Sequence, residues 1–304
     1  MDAGGDIMNA DGRGDRAVDA FVTHRNLLFT VAYEMLGSAA DAEDVLQETR
    51  LRWADADLAA VRDQRAYLVR ITTRLSLNRL RSVGRRRESY VGSWLPEPLL
   101  TAPDVADDIE LAESVSMAML LVLETLAPTE RAVFVLREVF DIGYDEIAEA
   151  VDKSPAAVRQ IAHRARAHVA ARRPRGMVSA ADTRRALDAF RRAVETGDVQ
   201  GLLDVLAPDV VLLGDGGGIK QAVLRPVAGA DKVARLLCST HARTATMSLH
   251  PTHVNGHPGL ILRLDGAVDT VLALRIDDGL ISGVYAVRNP EKLSHMRRAT
   301  TLRR

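Results

Sequence analysis

Aromatic residues are scarce in this chain. Five Phe, five Tyr and two Trp make up 4% of 304 residues, while hydrophobic residues as a whole reach 47%. A chain poor in aromatics and rich in Ala, Leu and Arg favours helices over a β-sandwich across much of its length. Cysteine is nearly absent too. The single Cys238 excludes an intramolecular disulfide and a cysteine-based zinc site, fits a reducing cytoplasm, and reads as a small buried apolar residue. No apolar run approaches the roughly 20 residues of a membrane span, and the Gly- and Asp-rich N-terminus has no apolar signal core. A cytoplasmic protein is expected. Net charge is also almost missing, at -1, although residues 79–87 and 159–175 are strongly basic and residues 104–113 acidic. Partners are therefore read from patches rather than from the total. The length leaves room for two or three domains.

The most informative stretch runs from Tyr144 to His163. Ile147, Ala148 and Val151 form one apolar face, Asp152-Lys153 suits a turn in which Asp tolerates the left-handed conformation, and Ser154-Pro155 supplies an N-cap followed by proline at the first helical position. The second helix turns Val158, Ile161, Ala162 and Ala165 inward and Arg159, Gln160, His163, Arg164 and Arg166 outward. The plain alternative is an ordinary helical hairpin. The cationic outer face and the small Ala148 at the helix crossing favour a DNA-reading helix-turn-helix.

Upstream, residues 19–36 and 40–53 read as amphipathic helices separated by Gly37-Ser38, with Leu28, Val31, Ala32 and Met35 at helical spacing. A third helix is predicted from about Gln64 to Val83, with Leu68, Ile71, Leu75 and Leu80 on one face and Arg65, Arg70, Arg74, Asn78, Arg79 and Arg81 on the other. Gly84 and Arg85-Arg86-Arg87 are expected to end it. Gly92, Pro96, Pro98 and Pro103 mark residues 89–106 as a linker. Helices are then predicted at 107–126 and 131–140, and Pro174-Arg175-Gly176 closes the helical part. From about Ser179 the pattern changes to helices at 181–195 and 199–206, then strands at 210–213, 260–264, 268–276 and 280–287, with Asp277-Asp278-Gly279 as a hairpin turn. A separate α+β domain with a mostly antiparallel sheet follows from that order.

Three blocks carry a family resemblance. Asp41-Ala-Glu-Asp-Val-Leu-Gln-Glu48 is similar to region 2.2 of sigma-70-type initiation factors, the stretch from Ala66 to Asn78 resembles regions 2.3 and 2.4, and the helix-turn-helix resembles region 4.2. Three more, Trp94-Leu-Pro-Glu-Pro98, Asp215-Gly-Gly-Gly218 and Asn289-Pro-Glu-Lys-Leu293, resemble motifs of extracytoplasmic-function (ECF) sigma factors of the sigma-J type, which carry a fused SnoaL-like domain of the nuclear transport factor 2-like folds. The resemblance implies two all-α sigma domains followed by an α+β cone. Their expected bounds are region 2 at 19–88, the linker at 89–106, region 4 at 107–174, the SnoaL-like domain at 179–288 and a tail at 289–304.

The same resemblance implies roles. Asp44, Gln47, Glu48 and Arg52 would dock on core RNA polymerase, through its β′ and β subunits. Arg62, Asp63, Arg65, Arg74, Asn78, Arg79 and Arg81 would meet the minus-ten promoter element, with Arg74 standing where Asn is frequent in the family and Asn78 the better source of a specific polar contact. Ser154, Ala156, Arg159, Gln160, His163, Arg164 and Arg166 would meet the minus-thirty-five element. Arg159 and Gln160 would lie nearest the base edges, since Arg pairs bidentately with G and Gln with A. Trp94, Leu95, Pro96, Glu97 and Pro98 of the linker, Asp215 with Gly216, Gly217 and Gly218, and Asn289, Pro290 and Lys292 would form an interdomain regulatory contact, with Trp94 as an apolar plug.

The protein is expected to be a monomer when free, to need no cofactor or metal, and not to be an enzyme. A second reading is an isomerase- or cyclase-like enzyme tethered to a DNA-binding module, with an unidentified small ligand in its C-terminal pocket. Asp215 and His250, His253 and His257 motivate it, although a helix-free His cluster with no carboxylate at ligand spacing reads as polar residues facing solvent rather than a metal site.

Overall fold

The computed structural model describes residues 7–102, 109–172, 179–241 and 247–294, together with Met296, Thr300, Leu302 and Arg303. Pro103 of the linker and the Pro174-Arg175-Gly176 segment lie outside the described residues. In chain order the helices are α1 (Ile7–Leu36), α2 (Ala39–Ala54), α3 (Gln64–Glu88), α4 (Ile109–Val115), α5 (Met117–Leu123), α6 (Pro128–Phe134), α7 (Tyr144–Val151), α8 (Pro155–Ala170), α9 (Ala180–Thr196), α10 (Val199–Leu203), α11 (Ala230–His241) and α12 (Pro290–Leu293). The strands are β1 (Leu206–Asp215), β2 (Val227–Ala228), β3 (Met247–Val254), β4 (His257–Leu264), β5 (Ala267–Asp277) and β6 (Leu280–Val287). The chain forms two units. One comprises Met1–Val83, Leu126–Ala170 and Leu302–Arg304, and the other Gly84–Thr125 and Ala171–Thr301.

The first unit is helical. Leu28, Val31, Ala32 and Met35 of α1 are completely buried, as their spacing predicts. Gly37 takes a positive φ of 65°, and the Ser38 hydroxyl accepts from the Asp41 amide at 3.1 Å to cap α2. That cap fixes where α2 turns Ala42, Val45, Leu46, Thr49 and Trp53 inward. A buried hydrogen bond between the Thr49 and Thr72 hydroxyls, 3.2 Å, ties α2 to α3. Arg131 of α6 is almost wholly buried, and its Nε donates to the Glu34 carbonyl of α1 at 2.9 Å. Burial pushes its pKa down to about 9, against the attraction of Glu34, so it remains charged at neutral pH.

Three predicted boundaries move. Helix α3 runs through Gly84 to Glu88 instead of ending there. A single exposed glycine costs a helix only about 1 kcal/mol, and the arginines after it are good helix formers. The predicted helix at 107–126 is two helices, α4 and α5, because the Ser116 hydroxyl accepts from Met119 N at 3.1 Å and starts a new one. The helix expected at 131–140 is α6 from Pro128, with residues Val135–Val139 wound as a π-turn.

The second unit is built on a six-stranded sheet in the order β2-β1-β6-β5-β4-β3, with β1 parallel to β6 and every other pairing antiparallel. β3 to β6 form a meander of three two-residue hairpins. Their turns are Asn255-Gly256, Asp265-Gly266 and Asp278-Gly279, and all six residues have positive φ. That is the backbone of a type I′ turn, which Asx-Gly pairs adopt at least cost. Only the third was foreseen. β3 was not foreseen as a strand, and Leu206, expected in a helix, begins β1 because α10 stops at Leu203.

Side chains alternate across the sheet. Leu272 and Leu274 of β5 face a core formed with Leu187 and Phe190 of α9 and Val233 of α11. Val271 and Ala273 point the other way, to a core shared with Leu95 of the linker and Met117 of α5. The linker is thus part of the domain's interior. Residues around Leu99 to Thr101 lie along the β3–β4 turn, with Asn255 N donating to Leu99 O (2.9 Å), Thr101 N to His253 O (3.1 Å) and Gly256 N to the Thr101 hydroxyl (3.0 Å).

Asn255 does most of this holding. It is fully buried, its side-chain oxygen accepts from Leu99 N at 3.0 Å, and its amide donates to Val115 O at 2.9 Å. Replacing Asn255 with Ala leaves two buried backbone groups without these bonds and puts Ala, which tolerates the left-handed conformation less well than Asn, at φ 54°. A loss of about 2–4 kcal/mol from this unit is expected, read as a lower denaturant midpoint and faster proteolysis between residues 90 and 102.

Candidate functional site

In the first unit, α1 and α2 leave a groove lined by Val18, Phe21, Val22, Leu46, Gln47 and Trp53. Val18 and Val22 on the wall of this groove are more than half exposed, unlike Leu27, Leu28, Val31 and Met35 further along α1, and Leu51 of α2 is also more than half exposed. Of the expected docking residues, Gln47 lines the groove. Glu48 and Arg52 pair with each other at 2.7 Å along α2. Asp44 accepts from Arg79 of α3 at 3.0 Å, and Asp41 accepts from the same guanidinium. Arg79 was expected on the minus-ten face. It instead braces α3 against α2, held charged by its hydrogen bond to Asp41 despite the opposing effect of burial.

The outer face of α3 keeps Arg74, Asn78 and Arg81 exposed, and Arg65 is half-buried at its start. Arg62 is exposed in the preceding loop. Asp63 is an N-cap, because its carboxylate accepts from Ala66 N at 3.0 Å. Arg70 lies over the Tyr67 ring at 4.8 Å and pairs with Glu149 of α7 at 3.0 Å, while Arg74 donates to the Glu149 carbonyl at 2.8 Å. These two partners were not foreseen.

The helix-turn-helix is formed by α7 and α8. Asp152 takes the left-handed conformation at φ 55° and closes α7, and the Ser154 hydroxyl accepts from Ala157 N at 3.2 Å to start α8. Ser154 is therefore a cap. Val158, Ala162 and Ala165 are buried, as is Val169, while Ala156 is exposed and Ile161 half-buried. Arg159, Gln160, His163 and Arg164 line one open surface. Arg159 lies 5.6 Å from the Tyr144 ring centre, which orients it. Arg164 is within 3.7 Å of Glu130, and Arg166 is held by both carboxylate oxygens of Glu138, at 3.0 and 2.7 Å. Arg166 thus closes onto its own domain, whereas Gln160 and His163 are exposed on α8.

In the second unit the linker, β1 and the segment after β6 converge on Asp215, which is completely buried. Its Oδ1 accepts from the Tyr90 hydroxyl (2.6 Å) and Gly217 N (3.0 Å), and its Oδ2 from Leu95 N (2.9 Å) and Lys292 Nζ (2.7 Å). The Asp215 carbonyl accepts from the Arg288 and Asn289 amides at 2.7 and 2.9 Å. Lys292 also donates to the Leu95 carbonyl and lies against the Tyr90 and Trp94 rings, 5.0 and 4.2 Å from their centres. Asn289 donates to Tyr90 Oη at 2.9 Å and caps the short α12 through Glu291 N at 3.0 Å. Pro290 is its exposed first residue.

The glycines after Asp215 are needed for close approach. A Cβ on Gly216 would meet the Lys220 carbonyl at 2.0 Å, and one on Gly217, at φ 63°, would meet the Asn289 amide at 2.3 Å. Gly218, at φ 73°, packs on Val91. Leu95 is the fully buried plug, with Pro96, Glu97 and Pro98 buried after it, whereas Trp94 is only half-buried over Lys292. The plug expected at Trp94 is displaced by one residue because the larger ring is the face that caps the ammonium. Tyr90 is the residue that sequence reasoning missed. Its phenol pKa is raised by burial and by the Asp215 carboxylate, which keeps it a donor.

The three histidines do not form a centre. His250 bonds Ser248 at 3.0 Å on the exposed edge, and His257 is turned away to the Ala112 carbonyl at 3.1 Å. Among the described residues no group of three His, Cys, Asp or Glu side chains is placed to hold a metal ion. No helix there is long and apolar enough to cross a membrane.

A helical bundle with an arginine-faced helix, joined to a helix-turn-helix, defines a sigma-70-type initiation factor. Models of Sigma-70 region 2 and Sigma-70 region 4 match residues 20–86 and 116–169. The chain is 35% identical over 292 residues to the ECF RNA polymerase sigma factor SigJ of Mycobacterium tuberculosis, covering 91% of this chain and 93% of that one. It is 34% identical over 281 residues to the "Probable ECF RNA polymerase sigma factor SigI" of the same species, covering 91% and 95%. The crystal structure of M. tuberculosis SigJ superimposes with a TM-score of 0.74 at 32% identity, over 92% of this chain and 99% of that one. The chain belongs to the ECF RNA polymerase sigma factors, and directs promoter-specific transcription initiation. Its C-terminal domain has the SnoaL-like fold. Residues 116–125, within the region 4 match, belong to the same unit as that domain.

Lys292→Ala should destabilise the second unit by about 3–5 kcal/mol, since it leaves Asp215 charged, buried and without its counter-ion. Unfolding monitored by Trp94 fluorescence in a variant lacking Trp53 measures it. A pH effect follows from His257, whose pKa is lowered by burial, partly offset by Ala112 O and Glu113 and reinforced by His253. The fold holds this ring neutral, so its contribution is present above the unfolded value of about 6.5 and falls as pH drops below it. His257→Gln should flatten the stability of this unit between pH 7.5 and 5.5.

Proposed function

We propose that this sigma factor is held and regulated from within by its own C-terminal domain, through the linker that joins regions 2 and 4. The observation that carries the reading is the Asp215 node. One buried carboxylate takes donors from Tyr90 and Leu95 of the linker, from its own glycine loop and from Lys292. A linker incorporated into a domain core cannot change its path without breaking a buried ion pair, which makes the domain a fixed constraint on the segments at its two ends.

In the same reading the α1–α2 groove, with Gln47 and the exposed Val22 on its wall, is the docking surface for the β′ subunit of core RNA polymerase. Asp44, Glu48 and Arg52 form its charged rim, and the β subunit meets region 4. Arg62, Arg65, Arg74, Asn78 and Arg81 meet the minus-ten element, with Asn78 the specific polar contact and the arginines on phosphates. Arg159, Gln160 and His163 meet the minus-thirty-five element, with Arg164 on a phosphate. The factor works in the cytoplasm as a monomer until it binds polymerase.

The C-terminal domain is read as a holder and not as a catalyst. The carboxylate that motivated an enzyme is taken up by donors from the linker, the glycine loop and Lys292, and the sheet face under α9 and α11 is filled with Leu, Val and Phe side chains. Run-off transcription with core polymerase is the test. Lys292→Ala and Leu95→Ala should alter the yield of promoter-specific transcripts at least threefold while polymerase affinity stays within twofold. Gln160→Ala should weaken upstream-element binding by about 1–3 kcal/mol, and Val22→Glu should reduce polymerase binding. Unchanged transcript yield in both linker-node variants would sink the regulatory role.

A further inference from the structure

Within the first unit the face expected to read the minus-ten element already has an occupant. Arg70 Nη1 donates to Glu149 Oε2 at 3.0 Å and Arg74 Nη2 donates to the Glu149 carbonyl at 2.8 Å, so one residue of α7 offers two oxygens to two successive arginines of α3. A guanidinium donates to carboxylate and to phosphate oxygens in the same fork geometry, so the two compete for it. The Tyr67 ring, 4.8 Å from the Arg70 guanidinium carbon, holds one arginine in position for either.

The arrangement is incompatible with reading both elements at once. Minus-ten and minus-thirty-five elements are centred about 25 base pairs apart, roughly 85 Å at about 3.4 Å per pair. Here α3 and the first helix of the helix-turn-helix touch through hydrogen bonds. Meanwhile the face of α8 bearing Arg159, Gln160 and His163 stays open. The upstream reader is open in the state in which two arginines of the downstream reader, Arg70 and Arg74, are engaged by Glu149, while Arg62, Asn78 and Arg81 stay exposed.

We infer that Glu149 is an internal competitor for minus-ten DNA, masking Arg70 and Arg74 until promoter engagement draws the helix-turn-helix away. The inference rests on the reading of α3 as the minus-ten helix. The mask is weak by construction. The Glu149 side chain is 67% exposed, and exposed ion pairs are worth little, so DNA phosphates backed by polymerase contacts displace it readily. Arg74, which stands where the family often has Asn, then has two uses: it donates to the α7 carbonyl in the closed state and is free for DNA in the open one. Arg131, buried against the Glu34 carbonyl, is a second tie between the same two regions that opening has to release or carry with it.

The test uses the full-length chain and a fluorescent single strand spanning the minus-ten element of a template that gives run-off transcripts. Glu149→Gln should bind this strand about two- to fivefold more tightly than the native chain and bind duplex carrying only the minus-thirty-five element unchanged. Glu146→Gln on the same exposed face removes an equal charge without touching the arginines, and should match the native chain on both probes. Equal tightening by the two variants would reduce the effect to general charge and overturn the competitor role. Arg74→Ala should weaken binding of the strand, and if it does not, the minus-ten reading of α3 falls and the inference with it. As a readout independent of affinity, spin labels at Ser82 and Asp145, with Cys238 replaced by Ser, should move apart on adding polymerase and promoter. An unchanged separation would also overturn it.

Discussion

The second unit depends on one buried carboxylate. Asp215 at the end of β1 gathers the hydroxyl of Tyr90, the amides of Leu95 and Gly217 and the ammonium of Lys292. Removing a carboxylate and an ammonium from water is costly, and only this dense set of donors, with Lys292 further placed against two aromatic rings, offsets the cost. The penalty for breaking the set is what converts a proline-rich linker, which would otherwise be a loose tether, into part of a core. Leu95 enters the apolar face of the sheet because the node fixes the chain on either side of it.

The first unit follows a different logic. Its ties are a buried arginine on a carbonyl, Arg131 to Glu34, and exposed pairs such as Arg70 with Glu149. Surface pairs contribute about 0–1 kcal/mol each and are screened by salt. The contacts between α3 and α7 are thus exposed and weak, whereas the one between α6 and α1 is a buried arginine. Buried ion pairing holds the linker in the second unit, and exposed ion pairs join α3 to α7 in the first.

Much of the architecture was legible because it is written locally. The helix-turn-helix could be read from Asp152, Ser154 and Pro155, whose backbone preferences act within four residues, and from the apolar spacing of Val158, Ala162 and Ala165. The meander could have been read further than it was, since Asn255-Gly256 and Asp265-Gly266 carry the same turn signal as Asp278-Gly279. Boundaries failed where a local signal was too weak to decide, as at Gly84, or where a cap split a continuous apolar pattern, as at Ser116. Site residues divided in the same way. Gln160 and His163 stand out on α8 as their spacing implies, whereas Asp63 and Ser154 serve as caps and Arg79 and Arg166 close on acids of their own unit.

By itself, the sequence determined the helical periods, the turns, the order of the motifs and therefore the family, because each of these depends on neighbours within a few positions. Only the tertiary structure decided the partners of the charges. Arg70 meets Glu149 across 79 positions, Tyr90 meets Asp215 across 125 and Lys292 meets Leu95 across 197. Coulomb and hydrogen-bond energies depend on separation in space and on burial, and neither quantity is encoded in spacing along the chain. The face of a helix can be read from a period of 3.6, but what lies against that face is settled when the elements pack.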